Sequence, residues 1–153
     1  MTRPHHRRVS RVILLDENDH FLLFLTASPN LRTPVVRWIA PGGGVDEGES
    51  HAEGAIRELF EETGLVVSDI GEPFHFIDGE SVFNDGHVQT THSEFFTVRT
   101  SNFEPTRENW MENEFRDISG IRWWSLSELI ESDEPHSPAD LHEIVIRAIN
   151  LSR

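Results

Sequence analysis

The 153 residues predict one mixed α/β unit, and three observations carry that expectation. Short runs rich in Val, Ile, Leu and Phe, bounded by polar turns, recur from Arg8 to Trp124 and read as strands. Residues 50–63 and 139–151 switch instead to a helical period. No linker, internal repeat or low-complexity tract divides the chain, and its length suits a single domain spanning 1–153.

In chain order, Arg8 to Leu15 and His20 to Leu25 flank the polar turn Asp16-Glu17-Asn18-Asp19 and form a hairpin signal. Residues 26–35 have the Pro and Asn content of a loop. Val36 to Ala40 then reads as a short strand halted by Pro41-Gly42-Gly43-Gly44. A helix is expected from Ser50 to Thr63, with Gly64 placed to end it in a left-handed cap. Two further strands, Pro73 to Ile77 and Val88 to Val98, are joined through Asn84-Asp85-Gly86. Ile121 to Trp124 reads as a last strand, Ser125 with Glu128 as a capping box, and 139–151 as a closing helix with Leu141, Ile144, Val145 and Ala148 on one face.

Composition narrows the functional classes. Twenty-seven acids against 13 Lys and Arg leave a net charge of −14. Such a surface does not grip nucleic-acid polymers or anionic lipid, which are held by neutralising phosphates with Lys and Arg. The absence of cysteine excludes disulfides, thiolate metal sites and cysteine nucleophiles. The N-terminal Met1 to Arg8 is basic and reads as a solvated tail, and the apolar run behind it, Val12 to Leu15, is too short for a signal or membrane segment. A soluble, cytoplasmic protein without membrane partners is expected, with a homodimer allowed.

The chemistry is concentrated between Pro41 and Leu65, where seven acids accompany a single base, Arg57. On a helix turning about 100° per residue, Glu58, Glu61 and Glu62 share one face, while Ala52, Ile56, Leu59, Phe60 and Thr63 centre on the other. Like charges at these spacings repel. A carboxylate set with oxygen donors only is what a hard divalent cation requires, and a solvated acidic face is the plain alternative. Glu49 stands where an ion pair with Arg57 would tie the preceding loop to the helix, and the glycines allow close backbone approach.

Gly43, Glu49 and the run Arg57-Glu58-Leu59-Phe60-Glu61-Glu62-Thr63-Gly64-Leu65 match all nine constrained positions of the 23-residue Nudix box, so the chain resembles the Nudix hydrolase (MutT/Nudix) family. The resemblance is looser outside 43–65 but covers nearly the whole chain. It implies a three-layer α/β/α sandwich around a mixed sheet, and Mg²⁺- or Mn²⁺-dependent cleavage of a diphosphate bond in a nucleoside diphosphate linked to another moiety. By resemblance Glu58, Glu61 and Glu62 are metal ligands, joined by the Gly43 carbonyl. Gly43, Glu49 and Gly64 are structural positions of the box. Arg57 orients a carboxylate, Glu61 or Glu49, and Glu58 is the first candidate for the base that accepts the water proton, Glu61 the second. A later glutamate often completes such sites. Glu112 and Glu114 are available, and Glu114 is favoured.

Features outside the box are less specific. Arg32 and Arg37 are the nearest upstream cations for a terminal phosphate, and Trp38 and Phe83 are candidates to stack on a substrate ring. Trp123 and Trp124 read as packing residues. His87 and His92, five apart on a strand, point to opposite faces, so ligation by that pair is not expected. His51 reads as an exposed first-turn residue, with a phosphate contact as the alternative. Among subfamilies, the coenzyme A signature is broken by Val36 and Ala40, no Tyr follows the box, and Pro73 lies too early for the ADP-ribose pattern. A MutT-like enzyme acting on nucleoside triphosphates is left by elimination. The competing class is a noncatalytic Nudix-fold sensor of nucleotides or nucleotide sugars, and a same-fold isomerase is disfavoured by the missing cysteine.

Overall fold

In the computed structural model, which describes residues 5–153, a mixed seven-stranded sheet carries helices on both faces. The strands are β1 (His6–Leu15), β2 (Phe21–Ser28), β3 (Val35–Ile39), β4 (Gly42–Gly44), β5 (His75–Val82), β6 (Val88–Arg99) and β7 (Ile118–Trp124). The helices are α1 (His51–Thr63), α2 (Glu112–Asp117), α3 (Leu126–Glu131) and α4 (Leu141–Leu151). The sheet runs β3-β2-β1-β6-β5, with β4 added to β1 and β7 to β2. β1 and β6 are parallel, and the other strand pairs are antiparallel.

Alternation along β1 builds the layers. Val12 and Leu14 pack with Ala55 and Leu59 of α1, whereas Ile13 and Leu15 pack with Leu141, Val145 and Ala148 of α4. A strand covered on both faces reads as a continuous apolar run, which is why Val12 to Leu15 shows no alternation. Each fully buried aliphatic here contributes about 1.5–3 kcal/mol. Among the described residues no helix is long and apolar enough to cross a membrane.

Both ends of α1 follow their local chemistry. Ser50 Oγ accepts from the Glu53 N–H at 3.1 Å while Glu53 Oε1 accepts from the Ser50 N–H at 2.9 Å. Gly64 adopts φ 85° and donates to the Phe60 carbonyl at 2.8 Å, ending the helix. The Ser125–Glu128 box caps α3 in the same way.

Four expectations are corrected. The basic segment is not a tail from His6 onward: His6, Arg7 and Arg8 pair with Thr90, Thr91 and His92 and extend β1; residues 1–4 of that segment lie outside the described region. The glycine run is a strand: Gly42, Gly43 and Gly44 pair with Arg11, Ser10 and Val9, and a Cβ on Gly42 would lie 2.0 Å from the Ser10 carbonyl oxygen. Phe60, about 100° round the helix from Leu59, is 41% exposed rather than core. The helix α2 was not anticipated, because six residues are too few to show a period.

Candidate active site

The carboxylates of α1 meet β4 at the floor of a cleft of about 540 Å³. Glu58, Glu61 and Glu62 line it with Gly42, Gly43 and Gly44, and Glu114 faces them from α2. The three box glutamates do share a face, but Glu62 is buried instead of pointing to solvent. It sits about 60° from Leu59, at the edge of the apolar stripe, where β4 covers it. The Gly42 N–H donates to Glu62 Oε1 at 2.6 Å.

Arg57 gathers the remaining acids. Its Nε–H and Nη2–H donate to the two Glu49 oxygens at 2.9 Å each, and Nη2–H also donates to the Gly44 carbonyl at 2.9 Å. Nη1–H reaches Glu58 Oε1 at 3.1 Å and Glu61 Oε2 at 3.3 Å. The guanidinium thus locks the 44–49 loop to the helix and holds two cleft carboxylates in place. Its hydrogen bonds to Glu49 raise the Arg57 pKa above its ordinary value and lower that of Glu49.

Burial pushes Glu58 above the usual carboxylate range, with Arg57 opposing and Glu61 adding to the rise. Glu62 is raised well above that range by burial and by Glu58, against the pull of Arg11 and the Gly42 N–H. Arg7, Arg11 and Arg37 line the same cleft, with Arg11 paired to Gly42 and the Arg7 guanidinium 3.3 Å from where a Cβ on Gly44 would lie. Enclosure draws Arg11 down to about 10 despite Glu62, and lowers Arg7 and Arg37 as well. The buried Arg37 Nε has no hydrogen-bond partner among the described residues. The cleft therefore brings a carboxylate cluster and three enclosed guanidinium groups together around β4.

The donor set fits a hard divalent cation. It consists of oxygens alone, its carboxylates are crowded enough to repel one another, and a Cβ at position 43 would lie 2.7 Å from the Glu58 carboxyl group. Glycine is what lets the β4 backbone and that carboxylate approach.

Other candidate residues fall elsewhere. Trp38 is buried in the α4-side core, edge-on to Trp124 at 5.2 Å, and its Nε1–H donates to Glu134 at 3.3 Å. Phe83 bridges Leu31 and lies 6.0 Å from the His87 ring, away from the cleft lining. Arg37 does reach the cleft, and Glu112 does not line it. Arg7 and Arg11 were missed: Arg7 lies in a basic run that carries no signal of its strand partner, and Arg11 lies in the expected first strand, whose pairing with Gly42 no local pattern records. Trp110 was missed too: its Nε1–H donates to the Glu62 carbonyl at 2.8 Å, anchoring the loop that delivers Glu114. A lone buried-type aromatic in the polar stretch 107–114 was the available clue.

The fold and this cleft are those of a Nudix domain. The family model for the NUDIX domain matches residues 4–144, and the chain belongs to that family, the Nudix hydrolases. It is 42% identical over 65 residues to an RNA pyrophosphohydrolase of Cereibacter sphaeroides, covering 42% of this chain and 37% of that protein. It is 47% identical over 53 residues to a putative 8-oxo-dGTP diphosphatase of Bacillus subtilis, covering 35% and 32% of the two chains. The match therefore spans about a third of the length of these curated relatives. A MutT protein from Methanosarcina mazei superposes with a TM-score of 0.69 over 100% of this chain and 99% of that one, at 21% identity. A MutT Nudix hydrolase from Burkholderia pseudomallei gives 0.65 at 18% identity, covering 95% and 99%. At these identities the structural likeness concerns the fold.

Proposed function

We propose that the protein is a divalent-metal-dependent pyrophosphohydrolase that cleaves a diphosphate bond in a small nucleotide-type substrate. The observation that carries this reading is the cleft itself, lined by Glu58, Glu61, Glu62 and Glu114 together with Arg7, Arg11 and Arg37.

Glu58, Glu61 and Glu62, with the Gly43 carbonyl and Glu114, would hold Mg²⁺ or Mn²⁺. When bound, such a cation supplies charge neutralisation at phosphoanhydride oxygens and acidifies water. The chain's own groups do the rest. Arg7, Arg11 and Arg37 bind phosphate oxygens, and their enclosure strengthens that attraction. Arg57 fixes the carboxylate positions so that no reorganisation is needed during reaction. A water attacks phosphorus and passes its proton to a Glu58 oxygen, while the P–O bond to the bridging anhydride oxygen breaks and the leaving phosphate carries away the electron pair, its charge met by the cleft arginines. Glu58 suits this role because it lines the cleft and the Arg57 guanidinium holds its Oε1 at 3.1 Å.

The relatives' names give RNA for one and 8-oxo-dGTP for the other, and pyrophosphohydrolase and diphosphatase both denote cleavage of a phosphoanhydride. The net charge of −14 weighs against holding a polymer, so a small nucleotide is favoured. The test is phosphate and pyrophosphate release from a panel of nucleoside triphosphates, ADP-ribose, nucleotide sugars, dinucleoside polyphosphates and 5′-triphosphorylated RNA. Turnover that needs Mg²⁺ or Mn²⁺ and falls sharply in Glu61→Gln supports the reading. Absence of metal-dependent turnover, with nucleotide binding retained, would assign the chain to the noncatalytic sensor class.

A further inference from the structure

We propose that His51, His92 and Glu94 form a zinc-type cation site separate from the carboxylate cleft, with Asp78 and Ser10 orienting its two imidazoles. The three residues come from distant parts of the chain: His51 opens α1, and His92 and Glu94 lie two apart on β6, hence on one face of the sheet. His51 is not the exposed first-turn residue its position implied, since its side chain is 13% exposed and Glu94's is 19%.

One ligating atom from each residue lies within 4.8 Å of the other two. His92 Nε2 is 2.9 Å, and His51 Nε2 3.7 Å, from the same oxygen, Glu94 Oε2. A tetrahedral zinc ion with bonds of about 2.0–2.2 Å separates neighbouring ligand atoms by roughly 3.3–3.5 Å. The two spacings to Glu94 straddle that value, and the third, between the imidazoles, is at most 4.8 Å.

The surroundings set both rings for ligation. His92 Nδ1 lies 2.8 Å from Asp78 Oδ1. Ser10 Oγ donates to the His51 carbonyl at 2.7 Å, so it is free to accept at 3.2 Å from His51 Nδ1–H. Each imidazole thereby has its Nδ1 engaged and presents Nε2 to Glu94, the arrangement by which outer partners fix the tautomer of a metal-binding histidine. The sheet supplies these partners by register: Glu94 is opposite Ser10 of β1, and His92 is opposite Asp78 of β5. Phe76 stacks on His92 with centroids 6.1 Å apart, and the two imidazoles meet edge to face at 5.5 Å.

The donor chemistry separates this site from the cleft. Two imidazoles and a carboxylate suit Zn²⁺, whereas an oxygen-only set suits Mg²⁺. Asp78 and Glu94 together balance a divalent charge, and the nearby Arg8 guanidinium is committed to the Asp46 and Glu49 carbonyls at 2.9 and 3.0 Å. Glu58 follows His51 by seven residues, about 10 Å along the helix. An ion here clamps the first turn of α1 to the sheet at a point remote from the cleft.

The competing account is a protonated His92 bridging Asp78 and Glu94 with no metal affinity. Equilibrium dialysis against Zn²⁺ in excess Mg²⁺ separates the two. The full chain carrying Glu58→Gln and Glu61→Gln is expected to retain one Zn²⁺, and adding His51→Gln or His92→Gln to weaken that binding by at least about tenfold. Co²⁺ in place of Zn²⁺ should show four-coordinate visible bands that His92→Gln abolishes. Asp78→Asn, at a largely exposed position, provides a variant expected to fold normally and lose affinity about tenfold. No Zn²⁺ bound to the Glu58→Gln, Glu61→Gln protein overturns the proposal. So does an unchanged stoichiometry in the histidine variants, which would place the ion elsewhere, for instance at His5 and His6.

Discussion

Arg57 and Glu49, eight residues apart, form a two-pronged ion pair with both N–H···O distances at 2.9 Å, and the same guanidinium touches Glu58 and Glu61. The pair is a positioning device, because Arg57 acts on the cleft through carboxylates. Arg57→Lys keeps the charge but loses the fork. The expected result is a kcat about 10–100-fold lower with KM little changed, read from steady-state kinetics on a substrate found in the panel. Because Glu49 has a depressed folded-state pKa, its contribution to stability is present above the unfolded value and is lost as pH falls through the folded one.

Gly43→Ala tests the close approach of β4 to Glu58. The new Cβ would lie 2.7 Å from the Glu58 carboxyl carbon, so the flexible carboxylate moves and the fold stays. A displacement of about 1 Å costs as much as 10²-fold in rate. A loss of that order in kcat/KM is expected, with a near-native melting temperature. Full activity would show that Glu58 need not hold its observed position.

Glu114 and Glu112 are two residues apart, yet only Glu114 lines the cleft. Glu114→Gln is expected to reduce turnover at least about tenfold, in the range of general acid–base and ligand effects, while Glu112→Gln leaves it unchanged. Paired kinetics over a Mg²⁺ titration separate a weaker metal requirement from a slower chemical step.

Trp38 is a core residue, and a substrate-stacking role would demand otherwise. Trp38→Ala is expected to lose about 3–5 kcal/mol in denaturant unfolding. Trp38→Phe, which keeps most of the volume, should retain the wild-type KM. A raised KM in that folded variant would restore the stacking role.

Asp16 is 1% exposed and accepts from the backbone N–H groups of Asn18 and His20 at 2.8 and 2.9 Å and from the Asn102 side chain at 2.9 Å. Burial pushes its pKa up, but these hydrogen bonds together outweigh it and hold the carboxyl below its ordinary value. Its stabilisation is therefore complete above about pH 3.9, the unfolded value, and disappears as pH falls through the lower folded value. Asp16→Asn should cost about 1.5–3 kcal/mol at pH 7 and flatten the acid limb of a stability-against-pH curve measured by urea unfolding.

What could be read along the chain was what local periods and caps encode. Ser50, Glu53 and Gly64 mark the ends of α1, the i, i+3, i+4 spacing puts Glu58, Glu61 and Glu62 on one face, and the spacing from Gly43 to Leu65 identifies the family. Each depends on contacts within a few residues. Tertiary structure decided the rest through pairings that no local period records. Laying Gly42–Gly44 against β1 buried Glu62, brought Gly43 to Glu58 and set Arg11 beside Gly42, and extending β1 to His6 placed Arg7 in the cleft lining. Trp110 fastened to the Glu62 carbonyl set Glu114 over the cleft, and the β1–β6–β5 register brought His92 and Glu94 to His51. Strand register is fixed by backbone ladders between residues as distant in sequence as His6 and Thr90 or Phe21 and Trp124. A side chain's partner across such a ladder exists only once the sheet has formed.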